Sequence, residues 1–175
     1  LGDGNSTVDA EVIESACGFL NILGLKDISL VVNSIGDRKC RPGYVEELRA
    51  YYQGKESQLC PNCRARLERS PLRLLDDKRE SCQAIAAMAP RSTDHLCGVC
   101  RDQWHLLRQY LDLLGINYRV DHTLVRGLDY YTRTVFEFQP QEEGSQATIL
   151  AGGRYDGLIE GLGGRPTPGI GFGTG

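Results

Sequence analysis

The chain has 175 residues, with 20 Lys+Arg against 23 Asp+Glu and a formal charge of -3. Hydrophobic residues at 41% and charged residues at 25% exclude disorder as the default state, because that much apolar material can offset the entropy of folding. No apolar run approaches the roughly 20 residues of a membrane-spanning helix, and the mild acidity argues against wrapping nucleic acid through bulk charge, while leaving room for a local basic patch.

Leu1 to Thr7 lacks the basic and apolar pattern of a signal peptide, and the absence of an initiator Met sets up the expectation of a fragment. Val12, Ile13, Ala16, Cys17, Leu20 and Leu23 then recur at helical spacing. The spacing predicts a helix from Val8 to Leu23, with Thr7 as N-cap, Asp9 and Glu11 at its positive end and Gly24 as C-cap. Ile28 to Val32 reads as a buried strand, ended by Asn33-Ser34-Ile35-Gly36.

From Asp37 to Leu114 the character changes. This stretch carries all but one of the seven Cys, many Arg and Glu, and several short helical patterns. Tyr44, Val45, Leu48 and Tyr52 share one face, and Leu59, Cys63 and Leu67 share another that Ser70-Pro71 interrupts. The longest pattern is Leu96, Cys100, Leu107, Leu111 and Leu114, closed by Gly115. From Ile116 the period becomes that of strands. Tyr118, Val120 and Leu124, then Tyr131, Val135, Phe136 and Phe138, flank the segment Arg126 to Asp129. A further strand is expected from about Ala147 to Ala151, a corner at Gly152-Gly153, a short helix from Tyr155 to Leu162 and a last strand over Ile170 to Gly173. The expected fold class is α+β: a mostly antiparallel sheet built from residues 1–36 and 116–175, interrupted by a small helical insertion over 37–115.

Three segments carry candidate chemistry. In Leu124-Val-Arg-Gly-Leu-Asp-Tyr-Tyr131, an Arg beside a Gly at a strand end can fork over a phosphate or carboxylate, with the two Tyr lining a pocket; a plain surface hairpin has the same composition. In Ala151-Gly-Gly-Arg-Tyr-Asp-Gly-Leu158, the paired glycines allow backbone angles and approaches that other residues forbid. No Lys-Ser/Thr follows and G-x-G-x-x-G is not matched, so neither common phosphate loop is present. Gly163 to Gly175 alternates small residues behind two Pro, as in a strand packed on a ligand or in a flexible tail.

Together these segments resemble the histidyl-tRNA synthetase family. Its two signature motifs are similar to Leu124–Tyr131 (with Thr134-Val-Phe-Glu137) and Gly152–Leu158, and the last segment resembles the start of motif 3 of class II synthetases. Leu1–Gly36 is similar to the stretch after motif 2, Asp37–Leu114 stands where the family has a helical insertion domain, and Ser70-Pro-Leu-Arg-Leu-Leu-Asp76 fits the bacterial insertion pattern. The resemblance implies a ligase that condenses histidine with ATP, taken with Mg2+, and then charges tRNA-His, as a cytoplasmic homodimer with no membrane association. It implies Arg126 between the amino acid carboxylate and the α-phosphate, and Tyr131 and Tyr155 along the histidine pocket shaped by Gly127, Leu128, Tyr130, Gly152 and Gly153. Motifs 1 and 2, the Leu-Glu-Arg of motif 3 and an anticodon-binding domain are not found, so the chain is expected to be a piece of the enzyme, inactive alone.

Two further features stay open. Cys60-Pro-Asn-Cys63 and Cys97-Gly-Val-Cys100 offer four thiolates to one structural zinc, though 33 residues separate them. Cys82 is a substitute ligand and His95 a backup, whereas His105 and His122 fit surface or strand positions. Reduced, packed thiols are the alternative, and a redox role lacks its βαβ context. The odd Cys count without a secretory signal points to a reducing compartment. Arg64, Arg66, Arg69 and Arg73 form either a solvated helix face or a contact to tRNA phosphates, which the resemblance implies near the acceptor stem. Competing with the ligase are the synthetase-like regulatory subunit of ATP phosphoribosyltransferase, a non-catalytic binding protein, and a tRNA-binding zinc module.

Overall fold

A computed structural model of the chain describes residues 1–127, 130–141 and 148–175. In chain order the helices are α1 (Ser6–Ile22), α2 (Arg41–Tyr52), α3 (Pro61–Arg69), α4 (Glu80–Ala86), α5 (Gly98–Leu113) and α6 (Leu158–Gly161). The strands are β1 (Ile28–Ser34), β2 (Tyr118–Val120), β3 (Thr132–Pro140), β4 (Leu150–Arg154) and β5 (Ile170–Thr174). They form one sheet in the order β2-β1-β3-β4-β5, parallel between β1 and β2 and antiparallel elsewhere. That is the mostly antiparallel α+β sheet the sequence implied.

Period-two alternation sorts the strand residues onto two faces. Leu30, Val32, Phe136, Phe138 and Leu150 pack with Ile13, Ala16 and Leu20 of α1 and Trp104, Leu107 and Leu111 of α5. Val31, Ile35 and Val135 belong to the opposite cluster, with Tyr44, Leu48 and Tyr52 of α2, Cys63 of α3 and Cys82 of α4. Residues 37–115 therefore have no closed core of their own: α2 to α4 share theirs with one face of the sheet, and α5 lies along α1 with the other.

Several boundaries move, each for a tertiary reason. Helix α1 starts at Ser6, with Asn5 and not Thr7 at the N-cap position, and the Ser6 hydroxyl donates to the Gln103 carbonyl of α5 at 2.9 Å. Strand β1 runs on through Asn33 and Ser34, because these pair with Val135 and Thr134. Gly152 and Gly153 lie inside β4, between β3 and β5, and not at a corner; the expected start of that strand at Ala147 lies outside the described residues. The helix expected from Tyr155 shrinks to α6, because Tyr155 N donates to the Gly169 carbonyl at 2.7 Å and stays extended beside β5. No helix among the described residues is long and apolar enough to cross a membrane.

Candidate functional site

Arg126 reaches its place through a buttressed loop. Leu124 and Val125 are buried, and Asn33 of β1 donates from Nδ2 to the Leu124 carbonyl at 3.0 Å. Upstream, the Thr123 amide and hydroxyl donate to Asp121 Oδ1 at 2.9 and 2.6 Å. Burial opposes ionisation of Asp121, but these bonds and the Arg119 guanidinium outweigh it and hold the carboxyl below its usual range. The Arg126 guanidinium pairs with Glu137 of β3, whose other oxygen accepts from Gln139 Nε2 at 3.0 Å and Thr148 Oγ1 at 2.9 Å. Arg126 Nε is buried and has no hydrogen-bond partner among the described residues. Asn33 Oδ1, Tyr52 OH and Arg133 Nε share that state.

Three tyrosines stand beside it. The Tyr130 and Tyr131 ring centroids are 4.7 Å apart, Tyr155 meets Tyr130 edge-on at 6.3 Å, and Arg126 Cζ lies 5.9 Å from the Tyr131 ring. Burial and the neighbouring Tyr131 push the Tyr130 phenol up, so it stays a neutral donor. These residues and Phe172 line a cavity of about 480 Å³. A second cavity of about 610 Å³, lined by Asp121, Thr123, Gly127, Glu137 and Thr148, opens on the other side of the same guanidinium. Arg126 borders both. Leu128, expected to help shape the pocket, lies outside the described residues.

The glycines of β4 are required for space. Neither adopts a positive φ. A Cβ on Gly152 would run into the Gly171 carbonyl and lie 2.8 Å from Phe172 Cβ, and one on Gly153 would lie 2.6 Å from the Thr134 carbonyl and 2.8 Å from Tyr131 Cδ1. The Gly153→Ala chain is expected to lose about 1–3 kcal/mol by overpacking and to displace the Tyr131 ring. Urea denaturation and histidine titration read the two effects, and an unchanged protein on both counts would remove Gly153 from the pocket's design.

Arg154 is the residue that sequence reasoning missed. It is 0% exposed, and it donates to Asp9 Oδ1 of α1, to Asp156 Oδ1 at 2.9 Å and to the Asp3 and Asn5 carbonyls at 3.0 and 3.2 Å. Asp9, read as a helix-dipole residue, is in fact buried here and also accepts from Thr134 Oγ1 at 2.6 Å. Burial pushes the Asp9 carboxyl up against the pull of that guanidinium. Burial also opposes the charge on Arg154, but Asp9 and Asp156 outweigh it and hold the guanidinium protonated. The network locks the strand end that carries Tyr155. Its only sequence trace is a Gly-Gly-Arg-Tyr-Asp run whose Arg had no assigned partner.

The basic run divides. Arg64 and Arg69 are exposed, Arg66 is half-buried, and Arg73 turns inward to Asp76 at 3.0 Å and to the Gly127 carbonyl at 3.1 Å. Arg73 thus braces the residue after Arg126. The cysteines divide too. Cys60 and Cys63 converge with Cys82 and Asp77, whereas Cys97 and Cys100 converge with Cys40 and Asp37; within each set the ligand atoms all lie within 4.8 Å of one another. The single four-thiol cluster expected from Cys60, Cys63, Cys97 and Cys100 is not formed, because the two pairs sit in hydrophobic clusters on opposite faces of the sheet. Burial pushes the Cys63 and Cys100 thiols up, and the Cys100 amide holds the Cys97 thiol low. His95 joins neither set and packs on Tyr44 at 5.6 Å.

The sheet, with its buttressed Arg and aromatic cavity, is a class II aminoacyl-tRNA synthetase fold. Apo histidyl-tRNA synthetase from S. aureus matches with a TM-score of 0.72 at 39% identity, over 98% of this chain and 42% of that one. An ATP phosphoribosyltransferase regulatory subunit/histidyl-tRNA synthetase from Bacillus halodurans shares the fold, with a TM-score of 0.61 at 22% identity, over 99% of this chain and 48% of that one. The family model described as histidyl-tRNA synthetase matches residues 1–175. A histidine–tRNA ligase of Dehalococcoides mccartyi is 54% identical over all 175 residues, and one of Halothermothrix orenii is 48% identical. The chain belongs to the histidyl-tRNA synthetase family. It spans 42% of the length of each of these two relatives.

Proposed function

We propose that the full-length protein containing this chain is a histidine–tRNA ligase, and that these residues hold histidine and polarise its activation. The observation that carries the reading is the place of Arg126, on the border between an aromatic cavity and a polar one. Histidine fits the cavity of Tyr130, Tyr131 and Tyr155 beside Ala151 and Gly171, where tyrosine hydroxyls favour an imidazole over an apolar ring. Its carboxylate oxygen attacks the α-phosphorus of Mg2+-bound ATP, forming histidyl-adenylate and releasing pyrophosphate. Arg126 opposes the negative charge that develops between carboxylate and phosphate. The histidyl group then passes to tRNA-His. Arg64, Arg66 and Arg69 serve its phosphates, whereas Arg73 acts on the Arg126 loop. In this reading residues 1–36 and 116–175 are the catalytic part, and 37–115 the insertion that helps seat tRNA. The whole enzyme works as a cytoplasmic homodimer.

The names and identities of the relatives support the ligase over the regulatory-subunit reading, since the counterpart that carries the regulatory description is only 22% identical. Pyrophosphate exchange with the full-length protein is the test. Exchange is expected with histidine and ATP together and not with other amino acids. Histidine binding without exchange would favour the regulatory class, and neither binding nor exchange would overturn the site.

A further inference from the structure

We propose that the chain holds two separate zinc ions, one on Cys60, Cys63, Cys82 and Asp77 and one on Cys40, Cys97, Cys100 and Asp37. Each set offers three thiols and one carboxylate with all ligand atoms within 4.8 Å of one another. A tetrahedral zinc with Zn–S near 2.3 Å needs ligand separations a little under about 4 Å. Each set therefore closes on a metal by side-chain movements of under about 1 Å. Soft thiolates in a four-ligand set select zinc over magnesium or calcium.

The same construction occurs twice. Cys60 is the N-cap of α3 and Cys63 lies in its first turn; Cys97 is the N-cap of α5 and Cys100 lies in its first turn. A helix start turns its first amides towards the N-cap sulfur. The Cys63 amide donates to Cys60 Sγ at 3.3 Å, the Cys60 amide to Cys82 Sγ at 3.4 Å and the Asp37 amide to Cys40 Sγ at 3.4 Å. The third Cys and the Asp come from a different segment in each case. Apolar packing alone gives no reason for a carboxylate to join three thiols, yet Asp77 Oδ2 lies 3.7 Å from Cys60 Sγ and Asp37 Oδ1 lies 3.4 Å from Cys40 Sγ. Gly36, with φ +67°, lets the chain pass the second set, since a Cβ there would lie 2.8 Å from Cys40 Sγ.

The two ions would do different mechanical work. The first ties α3 to α4 and the turn before it. The second clamps the exit of β1 to the start of α5, where the chain leaves the sheet and returns to it, so it closes a long loop at its base. Neither duty depends on the ligase reading.

Elemental analysis of the chain purified without chelators is expected to find about two zinc per chain. X-ray absorption of the unmodified protein should show three sulfurs and one oxygen or nitrogen per zinc, a readout that requires no variant to fold. Cys82→Ser and Cys40→Ser should each remove one equivalent and leave the other, and chelation should lower the melting temperature reversibly. One zinc bound by four sulfurs would overturn the proposal in favour of a shared site. Absence of zinc, with no uptake of added Zn2+, or a coloured iron–sulfur chromophore, would overturn it outright.

Discussion

Replacing Arg126 by Ala in the full-length protein is expected to slow histidine-dependent pyrophosphate exchange by about 10²–10³-fold, the loss of about 2.7–4 kcal/mol that follows removal of one preorganised donor at a developing charge. The guanidinium is held in advance, by Glu137 from β3 and by a loop that Asn33 and Arg73 brace, so little reorganisation is needed when the substrate arrives. Two controls separate charge from architecture. Arg126→Lys keeps the charge but loses the fork and should recover only part of the rate. Glu137→Gln should leave Arg126 charged and less constrained, raising KM more than it lowers kcat. A near-normal exchange rate in a folded Arg126→Ala protein would overturn the assignment.

Arg154→Met is expected to destabilise the chain by about 3–5 kcal/mol, because it strands the buried Asp9 carboxylate without its cation. Such a loss is a large fraction of the stability of a small domain. Asp9→Leu alone should cost a similar amount by leaving the guanidinium 0% exposed and paired only with Asp156. The double variant should be less damaged than the sum of the two, because buried ion pairs often exchange for apolar packing at little net cost. Urea denaturation of the four proteins measures the coupling. If both single changes cost under about 1 kcal/mol, the network does not hold α1 to the end of β4. Histidine affinity should fall with the single variants, since Tyr155 follows Arg154 directly and shares its anchor through Asp156, which accepts from Gly169 N at 3.3 Å.

Much of this protein is legible along the chain. The stripe Ile13, Ala16, Leu20 and the alternation of Leu30, Val31 and Val32 set α1 and β1, because helical and strand periods are local properties of backbone geometry. The motif around Arg126 and the run around Gly152 stand out as candidates for the same reason: each is contiguous. Partnership across the sheet is not contiguous, and there the sequence is silent. Nothing local links Asp9 to Arg154, Arg73 to Gly127, or Asn33 to Leu124; sheet register and helix docking make those pairs. The glycines of β4 look like a turn along the chain, yet they are strand residues because Tyr131 and Phe136 need the room beside them. The cysteines make the point most sharply. Spacing alone suggests that two CxxC pairs join each other, but the sheet lies between them and each pair meets a different third thiol and a different Asp. Sequence therefore determined the local elements and the contiguous motifs around Arg126 and Gly152, and tertiary structure alone decided which side chains meet, because ion pairs and ligand sets depend on distances in space that spacing along the chain does not encode.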